Sequence, residues 1–101
     1  ADETKILQGE LGEYIVTGRR KDLTWYVGGM SNWTERDLKV ELSFLEPGIN
    51  YNATVVKDGP NAHRQGSDYM IQNIIVNSES AVDVHMAPGG GFVIKLEQLK
   101  K

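Results

Sequence analysis

Acid–base chemistry needs titratable side chains brought together, and this chain offers 14 acidic residues, two histidines and no cysteine for it. Glu35 with Asp37, and Asp58 with Asp68, are carboxylate pairs of the kind that serve as acid and as base or nucleophile in cleaving a glycosidic bond. Both pairs sit among Gly, Asn and Lys in polar sequence, where carboxylates are ordinarily solvated or cap turns. His63 falls in a polar stretch, and His85 alternates with Val84 and Met86, so His85 reads as the solvent-face member of a strand rather than as a base or metal ligand. No G-x-S-x-G elbow is present to expose a nucleophilic serine. Asp58, Asn61, Ser67 and Asp68 carry oxygens that suit calcium but lack the regular spacing of a calcium loop. Gly89-Gly90-Gly91 has no Lys-Ser/Thr after it and leads into a strand pattern, so it reads as a turn and not as a phosphate cradle. Asn32-Trp33-Thr34 and Asn52-Ala53-Thr54 match the glycosylation sequon at a frequency chance accounts for. Without cysteine there is no disulfide framework, thiolate metal site or cysteine nucleophile. The residues therefore predict no catalytic constellation, no cofactor and no metal in this chain.

Charge and hydropathy narrow the partners. Eleven basic residues against 14 acidic give a formal net charge of −3, so no general pull toward nucleic acid or anionic lipid is expected. The apolar runs are short, far below the ~20 residues a spanning helix needs. Aromatic side chains are the better candidates for contact. Trp25 and Tyr26 are adjacent in a strand pattern, so one faces inward and the other outward. Trp33 lies in a polar loop, where it packs on the loop itself, anchors a domain or subunit interface, or stacks on a sugar.

The elements that must position these residues are strands. Runs rich in Val, Ile, Tyr and Thr recur along the 101 residues between Gly, Pro, Asn and Asp, and no stretch holds a helical stripe. Strands are expected over Thr4–Gln8, Tyr14–Arg19, Thr24–Met30, Leu38–Ser43, Tyr51–Lys57, Tyr69–Val76, Ala81–Met86 and Phe92–Glu97. Asp22 marks the tip of a hairpin turn, Gly28-Gly29 a bulge or close backbone approach, and Pro47-Gly48 a turn expected to close a second hairpin. Leu38, Val40 and Leu42 alternate with Lys39, Glu41 and Ser43, the pattern of a half-buried antiparallel strand. The polar stretch from Asp58 to Asp68 is the longest loop. About eight short strands in one hundred residues predict a single domain over residues 1–101. Its fold is expected to be an all-β antiparallel sandwich with Greek-key-like connections. Because the chain begins Ala1-Asp2-Glu3-Thr4 rather than with Met, it reads as a piece of a longer protein.

Several segments, taken in order, resemble the C-terminal domain of glycoside hydrolase family 97. They are Asp2-Glu3-Thr4-Lys5-Ile6-Leu7, Gly12-Glu13-Tyr14-Ile15-Val16 with Arg19-Arg20, and Trp25-Tyr26-Val27-Gly28-Gly29-Met30-Ser31-Asn32-Trp33. Arg36-Asp37-Leu38, Leu42-Ser43-Phe44-Leu45, Asp58-Gly59-Pro60-Asn61-Ala62 with Asp68-Tyr69, and Ala87-Pro88-Gly89-Gly90-Gly91-Phe92 continue the likeness, which covers residues 2 to 97. The resemblance implies a non-catalytic β-sandwich that follows a (β/α)8 barrel in bacterial enzymes acting on α-glucosides or α-galactosides, periplasmic or secreted. It also implies that the catalytic carboxylates and calcium belong to the barrel part, so no catalytic residue is carried over to this chain. Expected partners are the barrel of the same polypeptide and a further copy in a homo-oligomer. The alternative is a carbohydrate-binding module that holds oligosaccharide weakly. Candidate contacts for either role are Asn32, Trp33, Arg36, Asp58, Asn61, Asp68 and Tyr69.

Overall fold

The computed structural model describes residues 3–10, 14–32, 35–58 and 69–99, with the backbone alone at 3, 8, 10, 58 and 69. Eight strands account for most of them: β1 (Glu3–Glu10), β2 (Tyr14–Lys21), β3 (Thr24–Ser31), β4 (Arg36–Glu41), β5 (Tyr51–Asp58), β6 (Tyr69–Val76), β7 (Ala81–Met86) and β8 (Gly91–Gln98). All pairings are antiparallel, in a six-stranded sheet of order β1-β2-β3-β8-β5-β6 and a two-stranded sheet β4-β7. The expected all-β sandwich is what the chain adopts, with strand ends within two residues of those read from the pattern; β4 is displaced, starting at Arg36 rather than Leu38 and ending at Glu41 rather than Ser43.

Alternation builds the core. Phe92, Ile94 and Leu96 of β8 point inward beside Trp25 and Val27 of β3 and Tyr51, Ala53 and Val55 of β5, all buried. Val40 from β4 and Val82, Val84 and Met86 from β7 close the core from the small sheet. Turn residues act where conformation demands them. Asp22, at φ 56°, takes the left-handed geometry that a short polar side chain tolerates and joins β2 to β3 as a hairpin.

One connection differs from expectation. Pro47-Gly48 does form a turn, with Gly48 at φ 81°, but the strands it links are not a hairpin. β4 pairs with β7, and β5 lies between β8 and β6 in the other sheet. The reason lies just after β4, where Leu42 and Leu45 are both buried and the Leu45 N–H donates to the Leu42 carbonyl at 3.0 Å. That inward turn carries the chain from one sheet to the other. The glycines of β3 mark a close approach and not a bulge, since β3 runs in unbroken register with β2 and β8. The irregularity lies in β1, between Ile6 and Gln8.

Candidate functional site

Three regions of the described surface were candidates for chemistry or contact, and they differ in kind. The first joins β4 to β7. Asp37 stands directly opposite His85 in the ladder, and the His85 Nδ1–H donates to Asp37 Oδ1 at 2.7 Å while Nε2 lies 3.4 Å from Glu35 Oε2. The Asp37 hydrogen bond, opposed by desolvation and aided by the charges of Asp37 and Glu35, raises the His85 pKa above its ordinary 6.5. Both carboxylates stand in solvent, which leaves them without the enclosed cleft that acid catalysis on a sugar requires. Among the described residues, no group of three or more His, Asp or Glu side chains is arranged to hold a metal ion. The arrangement is a surface charge pair across a ladder. Proton linkage fixes the sign of its effect: a raised folded pKa stabilises fully below 6.5 and the contribution disappears as pH climbs through the folded value. In a proton NMR titration the His85 ring is expected to show a midpoint above 6.5, which Asp37→Asn lowers. An unchanged midpoint in that variant would show that the pair does not form in solution.

The second region contains the contact residues that the sequence suggested. Asn32 follows β3, and its carbonyl accepts from the Gly89 N–H at 2.6 Å, which ties the end of β3 to the turn before β8. Arg36 begins β4 with its guanidinium 4.7 Å from the centre of the Tyr14 ring, a cation–π contact that links the small sheet to β2. These two thus serve the joint between the sheets. Trp33, Asn61 and Asp68 lie outside the described residues, as do the side chains of Asp58 and Tyr69. His63 lies outside them too.

The third region was missed in the sequence. On the outer face of the large sheet, Ile15 of β2 stands opposite Met30 of β3, and Gly28 of β3 stands opposite Val93 of β8, which pairs in turn with Val56 of β5. Because Gly28 has no side chain, these apolar residues border a groove of about 460 Å³. Ile15, Met30 and Val93 are exposed there, whereas an outer sheet face facing only water is normally polar. The signal in sequence was weak: Ile15 and Val93 each sit one residue off the inward set, inside runs that read as generically β-forming.

A family model described as glycosyl-hydrolase 97 C-terminal, oligomerisation, matches residues 1–97. A retaining alpha-galactosidase of Bacteroides thetaiotaomicron is 49% identical over 96 residues, which cover 95% of this chain and 14% of that protein. A glycoside hydrolase family 97 enzyme from Pseudoalteromonas sp. strain K8, solved in complex with acarbose, superposes with a TM-score of 0.90 at 27% identity, over 97% of this chain and 16% of that one. A beta-arabinopyranosidase shares the fold, with a TM-score of 0.67 at 23% identity over 93% of this chain and 14% of its own. The chain therefore spans 14 to 16% of these relatives.

Proposed function

This chain belongs to the glycosyl-hydrolase 97 C-terminal family, and from that premise we propose that it is the non-catalytic assembly domain of an α-glycosidase, packed on the catalytic barrel of its own polypeptide and joining copies of the enzyme. The observation that carries the reading is the family match over residues 1–97, whose description is oligomerisation. An apolar outer groove on the large sheet supports it physically, since domains docked on one another meet over roughly 600–1,500 Å². The identity of 49% to a retaining alpha-galactosidase supports α-galactosides as the parent's substrates and retention as its stereochemical course. In this reading the reaction's carboxylates and the calcium belong to the barrel part, and the enzyme is periplasmic or secreted.

A carbohydrate-binding module is the less favoured reading. Among the described residues, Tyr26 is the one aromatic side chain standing well out in solvent, and a single ring is a small platform for a sugar. The purified 101-residue chain is expected to give no turnover of p-nitrophenyl α-galactoside or α-glucoside with calcium present, while the full-length enzyme turns over one of them. Hydrolysis by the fragment would overturn the proposal. Saturable quenching of its tryptophan fluorescence by galacto- or malto-oligosaccharides would move the assignment to the binding module.

A further inference from the structure

A sheet with two edges must protect both, because unpaired N–H and C=O groups along an edge strand recruit other strands. The two edges of the large sheet are built differently. β1 carries Lys5 and Gly9 and is broken by the register shift between Ile6 and Gln8, all devices that discourage pairing. β6 has none of them. Its sequence Tyr-Met-Ile-Gln-Asn-Ile-Ile-Val contains no charge, no Gly and no Pro, and its register with β5 is unbroken over all eight residues. Both of its faces carry exposed apolar side chains: Met70 and Ile74, flanking Gln72 on the inner side, are 43% and 38% exposed, and Ile71 and Ile75, flanking Asn73 on the outer side, are 58% and 61% exposed. The inner side is open because the small sheet has only β4 and β7, which cover the sheet's centre, and of β6 only Val76 joins the core. Among the described residues nothing pairs with the free side of β6.

We infer that β6 is the strand through which two copies of this domain join, pairing antiparallel with β6 of a second copy to extend the six-stranded sheet across a two-fold axis. The inference rests on the oligomerisation reading above and names its surface. The occupant is a second copy because the strand is self-complementary. With Asn73 on the axis, Ile71 of each copy faces Ile75 of the other, and Asn73 meets Asn73. A two-fold axis normal to the sheet keeps each face with its like, as a continuous sheet requires. Asn73 is already oriented for this, since its Oδ1 accepts from Thr54 Oγ1 at 2.9 Å, leaving the amide N–H groups to donate across the axis. Strand addition supplies main-chain hydrogen bonds, and the matched isoleucines supply apolar burial in register.

The test is sedimentation equilibrium of the full-length enzyme carrying this segment, as wild type and as Ile71→Lys/Ile75→Lys. Both positions are exposed, so the variant keeps its fold, which unchanged hydrogen-exchange protection of the β3 and β8 backbone amides reports. In the paired arrangement it sets lysines opposite one another, and the dimer dissociation constant is expected to rise roughly tenfold or more. Ile6→Lys on the protected edge and Met30→Lys beside the outer groove are expected to leave that constant unchanged. Backbone amides of β6 should also gain protection from hydrogen exchange as concentration rises. A dimer that persists unaltered in Ile71→Lys/Ile75→Lys, or that is weakened equally by Ile6→Lys, overturns the strand assignment and leaves the oligomerisation reading standing. A wild-type enzyme that is monomeric at every concentration overturns both.

Discussion

Gly91→Ala is expected to lower the stability of the domain by about 2–3 kcal/mol, and its melting temperature by roughly 10–20 °C. The cause is a backbone crossing. A Cβ at Gly91, the first residue of β8, would collide with the carbonyl oxygen of Gly29 in β3, and neither partner is the yielding end of a side chain. Gly29 is locked from the other direction. Its own Cβ position is taken by the Phe92 ring, with Cζ at 2.7 Å and Cδ1 at 2.9 Å, and that ring is buried. The two glycines therefore let β3 and β8 approach while an aromatic ring fills the space that a side chain on β3 would have used. Gly28 provides the control. A Cβ there meets nothing nearer than the Phe92 carbonyl oxygen at 3.9 Å, on the outer face. Gly28→Ala is expected to be neutral or to stabilise by up to about 1 kcal/mol, because the strand no longer carries glycine's extra unfolded-state entropy. Thermal unfolding of the three alanine variants checks this directly. If Gly28→Ala were the most damaging of them, the described crossing of β3 and β8 would be wrong.

These same glycines show where sequence reading reached and where it stopped. A pair of glycines in a strand pattern announces a bulge or a close approach without telling which, because the deciding atom, the Phe92 ring, comes some sixty residues later in the chain. Strand identity was legible because inward and outward residues alternate: β7 was located to the residue, and the inward set of Phe92, Ile94 and Leu96 was read correctly. Pairing was legible only where a tight turn forces neighbours together, as Asp22 does between β2 and β3. At Pro47-Gly48 the local signal was equally clear and the partner was wrong, since Leu42 and Leu45 direct the chain across the core and that preference is set by burial at a distance. Glu35 and Asp37 were rightly read as solvated. What the pattern concealed was that Asp37 and His85, forty-eight residues apart, would face each other across a ladder.

The candidate contact surfaces were less legible for a related reason. Polarity marks a loop and so singles out Asn32, Trp33, Arg36 and the 58–68 stretch, whereas the apolar outer groove and β6 are built from residues indistinguishable in type from core. Only the sheet order shows that β6 lies at an edge and that two strands are too few to cover six. A domain whose task is assembly carries its function as surplus hydrophobicity, which becomes visible once the core has been accounted for.

The shortage of covering strands also determines which side chain holds the layers together. Trp25 of β3 is 6% exposed and meets the Phe44 ring edge-on, with centroids 4.8 Å apart and planes at 65°, while Lys5 of β1 lies 5.9 Å from the centre of its ring. Phe44 belongs to the segment between β4 and β5, so this contact braces the crossover against the large sheet beyond the end of the small one. Trp25→Ala is therefore expected to cost about 3–5 kcal/mol, the range for deleting a buried large aromatic, and is the most damaging single truncation we expect in this chain. Tyr26→Ala, one residue along and facing out, is expected to cost well under about 1 kcal/mol. Part of the Trp25 loss belongs to the pair itself. A double-mutant cycle with Phe44→Ala should return a coupling of about 1 kcal/mol, consistent with an edge-to-face contact between a buried and a half-buried ring. Denaturant unfolding of the four proteins measures it. Zero coupling, with Trp25→Ala costing no more than Tyr26→Ala, would mean that the crossover is not braced by these rings.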